Sequence, residues 1–178
     1  MRLAAATDFA AIAAITNHYI RHTAIHFGTD DVGADELRAA WRDRIDLYPW
    51  LVAEQAGTVV GYAKAGEFRT RAAYRWTCET GVYLAPDRRG HGIGALVYGR
   101  LCTLLRAQGF GAAIGVIALP NPASVRLHEQ LGFGYQGTLP RVGRKFDAWH
   151  DIGFWQLPLQ ADGHVPGAIR APAAAFAS

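Results

Sequence analysis

The residues best arranged for chemistry begin with a glycine-rich run, Arg89-Gly90-His91-Gly92-Ile93-Gly94, placed between a β-rich stretch and a helix start. Three glycines in five positions remove the Cβ atoms that would hold a ligand away from the backbone. The helix that follows aims its unpaired N–H groups and positive dipole end at the same point, and Arg89 adds charge. Such a turn is a seat for a phosphate or pyrophosphate. The run lacks the GxxxxGK[ST] pattern of a nucleotide P-loop. Its spacing also misses GxGxxG, and Gly109 to Ile117 carries no acid to read a ribose hydroxyl, so a dinucleotide is disfavoured. Upstream, Glu79 is the only acid between Glu67 and Asp87. It sits mid-strand among Trp76, Cys78, Val82 and Tyr83, where partial burial raises a carboxyl pKa toward the range of a general base at neutral pH. Arg69, Arg71 and Tyr74 precede it, a pair of guanidiniums suited to a carboxylate plus a second anionic group. His18, His22 and His26 follow helical spacing, but no HExxH pattern or carboxylate partner accompanies them, and no metal is expected. Cys78 and Cys102 are the only cysteines and lack a neighbouring base, so they read as small hydrophobes.

These groups need elements to hold them. Met1–Ala4 reads as a short strand, and Asp8 stands at an N-cap position ahead of Phe9, Ile12, Ala13 and Ile15, at helical spacing. A second helix is expected near Asp35–Leu47, before Pro49. Leu51–Glu54 and Thr58–Ala65 flank Gln55-Ala56-Gly57 as a hairpin, and Trp76–Leu84 is a long strand ending at Pro86. After the glycine run, Ile93, Leu96, Val97, Leu101, Leu104 and Leu105 form one helix face that stops at Gly109. Ala112–Leu119 is a buried strand, and Asn121-Pro122-Ala123-Ser124 opens a helix ending at Leu131-Gly132. Strands near Phe133–Thr138 and Trp149–Leu159 complete a mixed α/β order with a central strand–helix–strand crossover. One domain over residues 1–160 is expected, then an Ala/Pro/Gly-rich tail over 161–178, poorly ordered and without chemistry.

The composition narrows the partners. The chain has 178 residues, 51% hydrophobic and 19% charged, which provides for a core. Eighteen Lys+Arg against fifteen Asp+Glu give a formal charge of +3. That suits an anionic small ligand and lacks the basic stripe of a nucleic-acid binder. No apolar run approaches the ~20 residues of a membrane span, and the N-terminus does not read as a signal peptide, so a cytoplasmic protein without nucleic-acid or membrane partners is expected.

Arg89-x-x-Gly92-x-Gly94 after Val82-Tyr83-Leu84 resembles the acetyl-CoA signature of the GCN5-related N-acetyltransferase (GNAT) family. Asn121-Pro-Ala-Ser124-Val-Arg-Leu-His128-Glu-Gln-Leu-Gly132-Phe133 is similar to that family's next motif. Asn17-His18-Tyr19-Ile20, Tyr48–Glu54, Ala73–Thr77 with Glu79, and Trp149–Leu157 resemble the phosphinothricin/methionine sulfoximine acetyltransferase branch. The likeness runs from Met1 to about Leu159. It implies one twisted mixed sheet flanked by helices and splayed between the fourth and fifth strands, with acetyl-CoA as co-substrate in the split. Val82, Tyr83 and Leu84 would line the pantetheine arm, with backbone groups from Val82 and Leu84; Arg89, Gly90, His91, Gly92, Ile93, Gly94 and Ala95 would hold the pyrophosphate. Asn121 would contact the cofactor beyond them.

By the same resemblance Glu79 occupies the branch's catalytic carboxylate position. His128 stands where many relatives in the wider family carry a Tyr that protonates the CoA sulfur, and would act as acid or proton shuttle. Phe27 would wall the acceptor site together with Arg69, Arg71 and Tyr74, and a homodimer is implied. The expected reaction is direct acetyl transfer to the α-amine of a small amino-acid-like compound of the phosphinothricin, methionine sulfoximine or methionine sulfone type. The alternatives are another small amine, or a non-catalytic acyl-CoA sensor. The chain departs from the branch at Gly81 (usually Thr), Arg69 (often Lys) and Pro122-Ala123 (commonly Asp-Pro).

Overall fold

The computed structural model describes residues 1–176. Seven strands form one sheet: β1 (Arg2–Leu3), β2 (Trp50–Gln55), β3 (Thr58–Glu67), β4 (Thr77–Leu84), β5 (Ala112–Leu119), β6 (Gly134–Lys145) and β7 (Ala148–Pro158), in the order β1-β2-β3-β4-β5-β7-β6. Only β4 and β5 run parallel, joined by α3 (Ile93–Gln108); every other pair is antiparallel. One face carries α1 (Phe9–His22) and α2 (Ala34–Asp43). The other carries α3, α4 (Pro122–Gln130) and the short α5 (Pro172–Phe176). This is the mixed, helix-flanked sheet that the residue patterns and the resemblance imply.

The helical apolar spacing in α1 buries Phe9, Ile12, Ile15 and Tyr19 against Trp50, Val52 and Tyr62. Across the sheet, Val97, Leu101 and Leu105 of α3 are fully buried beside Leu51, Ala63, Cys78 and Ala113. Truncating one such leucine to alanine costs about 2–5 kcal/mol. The β2–β3 turn is Ala56-Gly57 with φ of 47° and 76°, the left-handed pair that a tight hairpin requires. No helix among the described residues is long and apolar enough to cross a membrane.

The β4–β5 pairing defines the site. It runs from Thr77↔Ala112 to Thr80↔Gly115 and stops there. Beyond it Gly81–Leu84 stay paired to β3, and Val116–Leu119 stay paired to β7. The sheet therefore opens like a fork between its fourth and fifth strands.

Four local expectations differ. Asp8 stands at the N-cap position of α1 as expected, but its side chain makes no capping hydrogen bond there. A 3-10 turn over Ala6–Asp8 precedes the helix, and the Asp8 carboxylate accepts from Ala5 N–H at 2.7 Å and from Arg2 at 2.6 and 2.9 Å. The second helix ends at Asp43 rather than Leu47, giving way to a turn closed by Tyr48 N–H to Arg44 O at 2.9 Å. β6 continues past Thr138 to Lys145, because a register irregularity between Leu139 and Gly143, with Arg141 at φ 54°, absorbs Pro140 without ending the strand. Finally, the segment after Ala161, expected to form a loose tail, docks against α3. Arg170 and the buried Gln108 exchange hydrogen bonds of 2.9 and 2.8 Å, and Trp76 Nε1 donates to Gly167 O at 2.9 Å. Ala175 is buried, and Ile169 and Phe176 pack against the α3 core. Apolar residues spaced among the alanines supply the contact. The last two residues of the expected tail lie outside the described residues.

Candidate active site

A cleft of about 560 Å³ fills the fork between β4 and β5. Its walls include Val82, Tyr83 and Leu84 on one side, Val116 to Ala118 on the other, and Asn121 and His128 at the edge of α4. Strand register shows which backbone groups face it. Ala85 N–H bonds Val60 O at 2.9 Å, and antiparallel partners alternate between bonded and unbonded pairs. Tyr83 and Gly81 therefore direct their N–H and C=O toward β3, while Val82 and Leu84 direct theirs into the split. The Leu84 carbonyl is already taken by the Tyr19 hydroxyl at 2.8 Å, which leaves the Leu84 N–H and both Val82 groups for a ligand.

At the end of the cleft the chain turns through Gly90 (φ 83°) and Gly92 (φ 75°) into α3. A side chain there would be strained in the left-handed region. The first helical bond, Leu96 N–H to Gly92 O at 3.1 Å, leaves the N–H groups of Ile93, Gly94 and Ala95 without helical partners. With the helix dipole and the Arg89 guanidinium they form an anion seat. Arg89 is aimed by its own bond from Nε to Pro86 O at 3.1 Å. An extended polar chain with a diphosphate at one end fits this combination: free strand-edge groups along the split, then three unpaired N–H groups. Asn121, the N-cap of α4, accepts from Ser124 N–H at 3.2 Å while lining the cleft.

His128 is buried under the cleft wall, and two residues that the sequence reading did not single out hold it. Its Nδ1 lies 2.8 Å from Ser124 O, an atom that can only accept, so Nδ1 carries the proton. Burial lowers the ring's pKa, keeping it neutral with Nε2 as acceptor. Nε2 takes the Tyr98 hydroxyl at 3.0 Å, and that hydroxyl meets Thr80 Oγ1 at 2.8 Å. Protonating the ring reverses this chain: Nε2–H donates to Tyr98, Tyr98 to Thr80, and Thr80 to Ile114 O at 3.2 Å. Gly115 makes the room, since a Cβ there would sit 2.4 Å from the imidazole. Tyr98 lies on the core face of α3 and looks like packing in one dimension; Gly115 looks like a small residue in a buried strand.

Glu79 projects from β4 on the α1 side of the sheet, three residues before Val82, about 10 Å along the strand. Its surface is still reachable by water, but the protein around it strips enough solvent to raise its pKa, against the lowering influence of Lys64 and Arg69. Arg69 stacks over Phe68 at 5.2 Å, and Phe68 meets Tyr74 edge-on at 5.8 Å. Arg71 starts the exposed turn Ala72–Tyr74. Phe27 crosses to the β6–β7 hairpin, 6.2 Å from the His150 ring, over Gly143, where a Cβ would overlap it. The structure thus gathers Val82, Tyr83, Leu84, Arg89, Gly90, Gly92, Gly94, Ala95, Asn121 and His128 in one cleft. Glu79, Phe27, Arg69, Arg71 and Tyr74 lie beyond its lining. His91 is exposed and outside that lining, and the Ile93 side chain packs into the core beneath the loop.

The remaining chemistry-bearing groups are engaged elsewhere. α1 ends at His22, so His26 leaves the helix face of His18 and His22; its Nδ1 accepts from Gly28 N–H at 3.0 Å. No group of three metal-ligating side chains occurs among the described residues. Burial pushes the Cys102 thiol up to about 12 and Cys78 higher still, which makes both poor nucleophiles.

Against known proteins, residues 13–133 match the acetyltransferase (GNAT) family model. The chain is 44% identical over 164 residues to phosphinothricin N-acetyltransferase of Streptomyces viridochromogenes, covering 90% of this chain and 87% of that one. It is 40% identical over 161 residues to the L-methionine sulfoximine/L-methionine sulfone acetyltransferase of Salmonella typhimurium, covering 89% and 94%. Among solved structures, a GNAT superfamily phosphinothricin acetyltransferase from Sinorhizobium meliloti in complex with acetyl-CoA superposes with a TM-score of 0.90 at 34% identity, covering 93% and 91%.

Proposed function

The chain belongs to the GNAT acetyltransferase family, and from that premise we propose that it moves the acetyl group of acetyl-CoA onto the α-amine of a small amino-acid-like acceptor of the phosphinothricin, methionine sulfoximine or methionine sulfone type. The observation that carries the reading is the fork. Unpaired backbone groups at Val82 and Leu84 run into the glycine seat at the start of α3, and the partly desolvated carboxyl of Glu79 lies one strand segment away.

Acetyl-CoA supplies the acyl thioester. The N–H groups of Gly94 and Ala95, with Arg89, bind its diphosphate, and Val82 and Asn121 orient its arm. Glu79 takes the proton from the acceptor's ammonium, for which its raised pKa suits it. The Leu84 N–H donates to the oxygen on which negative charge develops. His128 lines the cleft and relays to the departing thiolate the second proton, which the amine nitrogen sheds as its C–N bond forms; the Tyr98–Thr80 hydroxyl chain reverses as the neutral ring gains and then loses that proton. The amine nitrogen gains a C–N bond as the C–S bond breaks. Attack is direct, and neither buried thiol, each raised in pKa by its burial, is poised to carry the acetyl group.

Arg69, Arg71, Tyr74 and Phe27 are assigned to the acceptor. The arginines favour an anionic compound over a polyamine. A cytoplasmic homodimer acting on toxic amino-acid analogues completes the reading. Two unpaired thiols suit a reducing compartment, and exposed Leu139, Val142, Phe146 and Trp149 on the β6–β7 hairpin offer an apolar face to a second copy. Free-thiol release from acetyl-CoA tests the reaction, with phosphinothricin, methionine sulfoximine and methionine sulfone measured beside spermidine and a peptide amine. Turnover confined to the amino-acid analogues supports the assignment. Turnover of spermidine alone contradicts it. Tight CoA binding with no thiol release from any of them points to a sensor.

A further inference from the structure

On the sheet face that carries Glu79, β3 and β4 pair so that Lys64 stands opposite Gly81 and Gly66 opposite Glu79. Opposite residues share a face, and their diagonal neighbours lie about 7–8 Å apart. The block therefore holds two unlike charges on one diagonal and two missing side chains on the other. A Cβ at Gly66 would meet nothing within 4 Å, and one at Gly81 only the Tyr83 ring edge at 3.6 Å. The result is an open floor between a cation and a carboxylate.

Its surroundings are defined. The stacked rings of Trp50, Tyr62 and Tyr83, spaced 5.9 and 5.4 Å, bound one side. His26 joins them from the loop after α1, 5.9 Å from Tyr83. That loop is pinned by Lys145, whose ammonium donates to Ile20 O at 2.6 Å and His26 O at 2.7 Å. Lys64 Nζ rests 4.8 Å over the Trp50 ring and, among the described residues, has neither a hydrogen bond nor an ion pair. Glu79 is the acidic group that acts on it at longer range; His26, Lys145 and Arg69 are the other titratable groups around this face. A cation drawn from water with no anion in contact is completed by an anionic ligand.

We propose that Lys64 binds the α-carboxylate of the acceptor, so that the Lys64–Glu79 diagonal reads the two charged ends of an α-amino acid and makes a free carboxylate a requirement for fast turnover. Arg69 and Arg71 are then left for the acceptor's side chain. This assignment rests on acetyl transfer to an α-amine as read above, and it adds a specificity-determining residue that the motifs do not contain.

The test compares methionine sulfone, its α-amide and 3-(methylsulfonyl)propylamine as acceptors for the wild type, Lys64→Met and Lys64→Arg. Methionine keeps the apolar stem over Trp50 and removes only the charge. The wild type is expected to prefer the acid over both carboxylate-free compounds. In Lys64→Met, kcat/KM for the acid should fall about 10–100-fold relative to the amide, with the KM for acetyl-CoA unchanged, and Lys64→Arg should restore part of the preference. A fall shared equally by all three acceptors would assign Lys64 to Glu79 or to packing, and an unchanged preference would free it of any role; either overturns the proposal. A wild type that acetylates the simple amine but not the acid refutes the α-amino-acid reading itself, an outcome visible before any variant is made.

Discussion

The two ends of the site are built from different material. The end proposed for acetyl-CoA is made of backbone: strand-edge groups at Val82 and Leu84, and helix N–H groups behind Gly90 and Gly92. The proposed acceptor end is made of side chains from scattered places, with Glu79 and Lys64 on adjacent strands, Arg69 on a loop, and Phe27 reaching the far hairpin. A backbone site tolerates sequence change so long as the glycines and strand edges remain. A side-chain site can be retuned residue by residue, which suits one co-substrate paired with variable acceptors.

The largest expected effect breaks the acceptor end alone. Glu79→Gln should lower kcat by about 10²–10⁴-fold and leave the acetyl-CoA Kd within about twofold, read by steady-state kinetics beside calorimetric titration. Next, Gly115→Val strikes the space beneath His128. Its Cβ collides with the His128 ring, and overpacking of this kind costs about 1–3 kcal/mol, seen as a lower midpoint in urea unfolding. Gly92→Val tests the backbone end. Forcing a branched residue into the left-handed region costs about 1–2 kcal/mol, expected as a roughly tenfold rise in the acetyl-CoA KM with the acceptor KM unmoved. The smallest effect belongs to Tyr98→Phe, which removes the donor to His128 Nε2 but not the ring. Turnover should fall only several-fold, but the pH dependence of kcat should shift downward, since both protonation states lose their bond at Nε2 and the charged imidazolium loses the stronger one. A uniform loss without that shift would make Tyr98 mere packing.

The same division explains what could be read in one dimension. The glycine seat is a local backbone rule, so Arg89 to Ala95 announce it directly, and the helical spacing already puts Ile93 on the core face; of the residues read onto that face, Leu96 is the one found exposed. The fork needs register: nothing in Gly81–Leu84 says that pairing with β5 ends at Thr80. Lys64, Tyr98 and Gly115 escaped because their meaning lies in what stands opposite them across a strand or a helix. Lys145 escaped for a further reason: β6 was expected to end at Thr138, and the bulge that carries it onward is marked by no glycine at Arg141. Residues after Ala161 have weak periodicity, and what holds them is a glutamine on α3 that no local pattern links to Arg170.

The central claim is that Glu79 does the proton chemistry. The most direct measurement is the pH dependence of kcat/KM for the acceptor in the wild type and in Glu79→Gln, at saturating acetyl-CoA. Burial raises the Glu79 pKa, so the base is lost by protonation as pH falls, and the wild-type acid limb should centre above the ordinary carboxylate value of about 4.3. In Glu79→Gln that limb should vanish, leaving a low rate governed by the acceptor's own amine. An acid limb that persists unchanged in the variant would contradict the account and move the base elsewhere.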